Sequence, residues 1–353
     1  MHPLLKLREF FYNKEIFSSV SLPAFTISVG NISLGGSGKS PLCDLICSFS
    51  EEKKKSLLLL SRGYGRESKE VALILANESL VAASFIGDEP WMIKNKHPGI
   101  KLLVHSDRGV KAQENWEKCS AEIVLLDDAF QHWKIKRDID IVLVDAYADL
   151  EQATLPFGAL RETKEALLRA DIIILSRSQE VSTEQREILL SQLNTLAKNP
   201  RKKSNWRRNF VVQKDPLLLE MNYAPKYLGN KQKQIKIEEL QNKNCILVSG
   251  IAKGKSFAKS VEACGAKVLD QIEFSDHSLL SQRKIIQVTK VFEKWEKENP
   301  WILITEKDWA RWHDKLSFFP KNTYYFSVGL EFAEKGQEKL FSALWDAYQC
   351  IKF

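Results

Sequence analysis

Short, almost purely apolar runs punctuate the chain at helix-length intervals. They occupy residues 25–29 (FTISV), 57–60 (LLLL), 123–126 (IVLL), 141–144 (IVLV) and 172–175 (IIIL). A strand with one wet face alternates apolar and polar residues, whereas an unbroken apolar run belongs to a strand covered on both faces. The alternation of such runs with helix-length stretches therefore predicts an α/β fold, a mostly parallel sheet with helices on both faces. A polar, Lys/Arg-rich interval at 199–209 (NPRKKSNWRRN) precedes two more runs, 245–248 (CILV) and 301–304 (WILI). A domain boundary is placed in that interval, separating residues 1–205 from a second, smaller α/β domain at 206–328, with 329–353 as a closing segment. The start of the chain has another pattern. On a helical wheel Leu4, Leu7, Phe10 and Phe11 fall within about 120° of one another, with Lys6, Arg8 and Glu9 outside that arc. Such a helix either lies in the interface of an anionic membrane leaflet or packs on its own protein's core.

Composition narrows the picture. With 353 residues, 44% hydrophobic and 27% charged, the chain buries a sizeable core and is not a disordered protein. A net charge of +7 points to an acidic partner: nucleic acid, an anionic membrane surface or a phosphorylated substrate. The six cysteines show no C-x-x-C pair or zinc-ligand spacing, which fits a reducing cytoplasm. No apolar run approaches the roughly 18 residues that span a bilayer, so membrane contact is expected to be peripheral.

Candidate chemistry begins at 30–40, GNISLGGSGKS, which follows the first apolar run and leads into PLCDLICSF, apolar at helical spacing. Strand, glycine loop and helix is the context required by the phosphate-binding pattern G-x-x-x-x-G-K-[ST], the P-loop. Backbone N–H groups of Ser33, Leu34, Gly35, Gly36, Ser37 and Gly38 would surround phosphates, Lys39 would reach the β and γ groups, and the Ser40 hydroxyl would ligate magnesium. ATP and Mg2+ are the cofactors this implies, and the sheet is expected to be P-loop NTPase-like. The pattern departs at one place, since Ser33 stands where the first glycine belongs. Gly35 and Gly36 are expected to supply the unusual backbone angles instead.

A second stretch, SGIAKGKS at 249–256, has the same local form, again with serine in place of the first glycine. The first loop is preferred as the nucleotide site because a later apolar run ends in Asp127-Asp128, where a Walker B carboxylate should hold magnesium or its water. Those aspartates could instead cap a helix, and Asp145, which also ends an apolar run, is the rival acid. Arg62, Arg66, Arg108 and Arg161 stand near predicted strand ends, where open α/β sheets bind ligands, and are expected to clamp phosphate. His132 is either structural or part of the site. Attack of a hydroxyl on ATP asks for a group to take its proton; the candidates are Asp88 in GDEP, after strand-like ASFI, and His277 in FSDH. Asp88 could also be a helix cap.

The ordered set GNISLGGSGKSP, LLSRGYGR (59–66), GDEP (87–90), DDAFQHW (127–133), LPFGALRE (155–162), FSDH (274–277) and TEKD (305–308) resembles the tetraacyldisaccharide 4'-kinase family over nearly the whole chain. The resemblance implies transfer of the ATP γ-phosphate to the 4'-hydroxyl of a tetraacylated glucosamine disaccharide 1-phosphate, a lipid A precursor, by a peripheral enzyme on the cytoplasmic face of the inner membrane. It also implies two α/β/α domains joined by a two-stranded linker, with the C-terminal segment returning to the first. Carried onto this chain, it joins Asp88 and His277 as a dyad, adds Gln131 to the nucleotide site, and adds Glu162 to Ser40, Asp127 and Asp128 as a metal ligand. No obligate protein partner follows from it.

Two rival functions remain. TEKD resembles the guanine-specifying N-K-x-D motif, which would make a P-loop GTPase or metal-chaperone-type NTPase, although Lys307 is one position late. RKKSNWRR at 201–208 would suit a nucleic-acid-binding ATPase; nucleic acid is not the expected partner.

Overall fold

The computed structural model describes residues 3–35, 37–199, 215–250, 254–275 and 279–351. Its strands are β1 (Phe25–Asn31), β2 (Leu57–Ser61), β3 (Ala72–Ile74), β4 (Lys101–Val104), β5 (Ile123–Leu126), β6 (Ile139–Asp145), β7 (Ile172–Ser176), β8 (Leu217–Gly229), β9 (Gln234–Lys236), β10 (Asn244–Ser249), β11 (Lys267–Glu273), β12 (Trp301–Thr305) and β13 (Thr323–Phe332). The helices are α1 (Pro3–Asn13), α2 (Lys39–Glu52), α3 (Ala83–Ile86), α4 (Asp88–Lys96), α5 (Arg108–Glu114), α6 (Trp116–Cys119), α7 (Thr183–Ala197), α8 (Gly254–Ala263), α9 (Gln282–Lys294), α10 (Glu306–Trp312) and α11 (Gly336–Cys350).

All seven apolar runs lie in strands, and every residue of β1, β2, β5, β6 and β7 is buried, as a parallel sheet covered on both faces requires. The strands form one mixed, mostly parallel sheet in the order β11-β10-β12-β13-β8-β7-β6-β1-β5-β2-β4-β3, with β9 beside β8. Within it β1 runs parallel to β5 on one side and β6 on the other. The two halves meet through the long strands β8 and β13, which pair antiparallel from Tyr325–Gly229 to Phe332–Met221. One apolar cluster runs through both halves, taking in Ile27, Leu42 and Trp91 as well as Ile304, Trp309 and Leu344. α11 packs back on the first half, with Phe341 4.9 Å from Phe49 and Tyr348 5.8 Å from Phe25, ring centre to ring centre. The sequence boundary at 205/206 falls outside the described residues. ASFI, expected as a strand, is the one-turn helix α3: a four-residue apolar run has no periodicity with which to choose.

Candidate active site

The glycine loop opens at the C-terminal end of β1, between β5 and β6, where parallel sheets collect ligands. The missing first glycine is explained by the backbone: Ser33 forms an antiparallel bridge with Leu160, and the Leu34 N–H donates to the Ala159 carbonyl at 2.8 Å. The LPFGALRE segment thus holds this part of the loop extended, a conformation that needs no glycine. Ser37 is buried and accepts from Asn31 Nδ2 at 2.9 Å. Gly38 caps α2 at φ +96°, and a Cβ there would lie 2.7 Å from Met221 Cε and 2.8 Å from Tyr223 Oη, so both conformation and space demand glycine. Gly36 lies outside the described residues.

Lys39 Nζ rests 3.7 Å from Asp128 Oδ1. Asp128 also accepts from Arg161 Nη1, at 2.8 Å and 3.0 Å to its two oxygens. Burial would raise its carboxyl, but Lys39 and Arg161 outweigh it and hold Asp128 below the ordinary carboxylate range. Asp127 is different. It is buried and accepts from the Ser61 hydroxyl at 3.3 Å, and burial, then the Glu89 carboxylate, push it up to about 6. Glu89, which the sequence did not single out, shares a hydrogen bond with Ser40 and lies beside Lys39. Two carboxylates that repel one another, one of them bonded to the Ser40 hydroxyl, make a donor set suited to a hard cation.

Asp88 is the first residue of α4, after Gly87. Its Oδ2 accepts from Arg311 Nε at 3.0 Å and Nη2 at 2.6 Å. His277 lies outside the described residues, as do RKKSNWRR and 251–253 of the second glycine stretch.

Most of the other expected site residues are held by contacts within the chain. Arg108, expected to clamp phosphate, is fully buried, and its guanidinium donates to the carbonyls of Leu60 (3.2 Å), Asp127 (2.6 Å) and Asp128 (3.3 Å), bracing the strand end that carries the acids. Glu162 is fully buried and accepts from Arg169 Nη2 at 2.8 Å and 2.7 Å to its two oxygens. Asp145, the rival acid, is paired with Arg177. Gln131 donates to the Asn31 carbonyl at 2.8 Å and so steadies the end of β1. Burial, reinforced by Arg108 and Arg137, pushes the His132 imidazole down to about 2, which favours its neutral form. Arg62 is exposed, and Arg66 donates to the Val104 carbonyl at 3.2 Å. TEKD cannot read guanine, because Asp308 is fully buried, bonded to Thr305 and to the Gly250 N–H.

Comparison with known proteins finds relatives over nearly the whole chain. The family model described as tetraacyldisaccharide-1-P 4'-kinase (LpxK) matches residues 2–347. A tetraacyldisaccharide 4'-kinase of Halothermothrix orenii is 31% identical over 347 residues, 94% of this chain and 86% of the relative. One from Chlorobaculum parvum is 32% identical over 313 residues, 87% of this chain and 80% of the relative. Among solved structures, the crystal structure of "apo" form LpxK from Aquifex aeolicus in complex with ATP aligns with a TM-score of 0.73 and 25% identity, over 98% of this chain and 95% of that one.

Proposed function

This chain belongs to the tetraacyldisaccharide-1-P 4'-kinase family, and on that premise we propose how its residues carry out the transfer. It is an ATP-dependent kinase of lipid A biosynthesis that moves the γ-phosphate of ATP onto the 4'-hydroxyl of a tetraacyldisaccharide 1-phosphate. The assignment of roles rests on one observation: the glycine loop, the acids after β5 and the N-terminus of α4 converge, with Lys39 beside Asp128 and Glu89 on Ser40.

Lys39 and the loop N–H groups bind the β and γ phosphates. The Ser40 hydroxyl and the Asp127 carboxylate, with Glu89 beside them, would hold magnesium, which when bound neutralises phosphate charge. Among the described residues no group of three His, Cys, Asp or Glu side chains forms a cage. So sparse an oxygen set fits an ion that keeps waters and phosphate oxygens of its own. Arg161, set by Asp128, is assigned with Arg62 and Arg66 to the anionic groups of ATP and of the lipid. Asp88 takes the proton of the 4'-hydroxyl as that oxygen attacks the γ-phosphorus. Incubation with ATP, magnesium and the disaccharide 1-phosphate should give the 4'-phosphorylated lipid. Asp88→Asn should keep ATP affinity and lower turnover by roughly 10² to 10⁴. Weakened ATP binding with full turnover at saturation would move Asp88 to the nucleotide site instead.

Access to the lipid is assigned to α1. Among the described residues no helix is long and apolar enough to cross a membrane. α1 turns Tyr12 and Arg8 inward, the guanidinium 5.1 Å above the Trp133 ring, while Leu7 and Phe10 remain about half exposed at 49% and 50%. Arg8, which lies outside the apolar arc of the helical wheel, is therefore part of the docking. The exposed apolar edge and the net positive charge suit an anionic leaflet on the cytoplasmic side. Leu7→Ser with Phe10→Ser should reduce recovery on anionic vesicles several-fold while sparing turnover in detergent; unchanged recovery would remove the membrane role of α1.

A further inference from the structure

Arg311 lies outside every motif quoted for nucleotide or lipid, yet its guanidinium ends on the carboxylate assigned as base. We propose that Arg311 is the positioning residue for Asp88, supplied from the second half of the sheet; this rests on the reading of Asp88 as base.

Both contacts, from Nε at 3.0 Å and Nη2 at 2.6 Å, fall on the same oxygen, Oδ2. That fixes the plane of the carboxylate and makes Oδ1 the oxygen for the 4'-hydroxyl. The Arg311 side chain is 6% exposed and that of Asp88 20%. The arginine is itself held: Nη1 donates to the Gly250 carbonyl and to Asp308 Oδ1, each at 3.3 Å. Asp308 is fixed in turn by the Thr305 hydroxyl at 2.7 Å and the Gly250 N–H at 2.9 Å. A continuous chain of polar contacts thus runs from the ends of β10 and β12 to the reacting carboxylate.

The chemistry suits arginine. A guanidinium does not release its proton near neutrality, so it orients the base without competing for the hydroxyl proton, and its planar fork fixes direction as a lysine cannot. Two other ion pairs already tie α4 to α10, Lys307–Glu89 at 2.5 Å and Lys96–Glu306 at 2.7 Å. Helix docking therefore does not depend on Arg311 alone. In the transfer the hydroxyl oxygen bonds to the γ-phosphorus, the bond from that phosphorus to the β–γ bridging oxygen breaks with its electron pair leaving on ADP, and the proton passes to Asp88.

The test is a double-mutant cycle read at saturating ATP and lipid. Arg311→Met should lower kcat by about 10² while KM for ATP stays within about two-fold, as expected when only the reacting group is misplaced. Arg311→Lys should recover part of that loss. In the Asp88→Asn background the same substitution should cost less than about three-fold, because residues acting as one unit are not additive. Equal losses in both backgrounds, or a loss confined to KM for ATP, would overturn the role of Arg311 and leave the base standing. Full turnover of Asp88→Asn alone would remove the base and this inference together. If Arg311→Met does not fold, Arg311→Lys is read in the two backgrounds by the same criterion.

Discussion

Two turns in this protein share a local pattern and differ in everything around it. One follows β1 and enters α2 through Gly38-Lys39-Ser40; the other follows β10 and enters α8 through Gly254-Lys255-Ser256. β1 is flanked by β5, whose end bears Asp127-Asp128, so the first loop opens beside carboxylates, Lys39 and Arg161. β10 is flanked by β12, whose following helix turns Asp308 inward until its Oδ2 accepts from the Gly250 N–H at 2.9 Å. At the second turn a carboxylate of the chain itself occupies a backbone amide of the kind a phosphate would take. The pattern specifies strand, turn and helix, and the neighbouring strands decide whether the turn binds or merely connects.

The largest effect should therefore separate the two lysines. Lys39→Ala should lower kinase turnover by more than about 10³, whereas Lys255→Ala should stay within about three-fold of wild type. The reverse outcome would exchange the roles of the two loops.

A smaller contrast concerns the acids. Asp308→Ala leaves the Gly250 N–H without its buried acceptor and removes one contact of Arg311, whose pair with Asp88 remains, and should destabilise the fold by on the order of 2 kcal/mol, measured by denaturant unfolding. Asp127→Asn should abolish most turnover with no loss of stability. The sign follows from its raised pKa of about 6: burial and Glu89 disfavour the ionised form in the fold, so above that pH the charge costs stability, which a neutral amide restores. If Asp127→Asn unfolded the protein while Asp308→Ala left stability unchanged, the division between a binding turn and a connecting turn would be wrong.

That division was only half legible in the sequence. Buried parallel strands announce themselves as unbroken apolar runs, and Lys39 with Asp127-Asp128 could be found by local spacing because each sits at the end of such a run. β8 and β13 gave no such signal. β8 mixes buried and half-exposed positions without a period and carries Pro225 within LLLEMNYAPKYLG, while the buried first half of β13, TYYFS, is interrupted by polar residues instead of running purely apolar. Glu89 and Arg311 were hidden for another reason: Asp88 and Arg311 are 223 positions apart and meet only through the docking of α4 on α10. Arg108 and Glu162 were expected at phosphate and metal; their full burial was not legible, because arginine and glutamate are seldom fully buried.

The smallest effect concerns how the binding turn is braced from behind. His97, at the C-terminal end of α4, bonds through Nδ1 to Glu51 at 2.9 Å and through Nε2 to Asp44 at 3.0 Å, both on α2. Lys96 bridges Asp44 at 3.5 Å to Glu306 of α10 at 2.7 Å, so the network joins α2, α4 and α10. Burial alone would push the imidazole down, but the hydrogen bonds to the two carboxylates outweigh it and raise its pKa above the ordinary 6.5. A raised folded-state pKa contributes stability that is fully present below the unfolded value of about 6.5 and fades as pH climbs through the folded value. His97→Gln, which keeps polarity but cannot charge, should therefore melt below wild type by a margin on the order of 1–3 °C at pH 5.5 and by less at pH 8.5. Asp44, which His97 and Lys96 hold below the ordinary carboxylate range against burial, stays ionised across that window, so the change in margin is assigned to the imidazole. A margin that is constant, or that grows with pH, would mean that His97 is neutral in the fold and that α2 is braced by Lys96 alone.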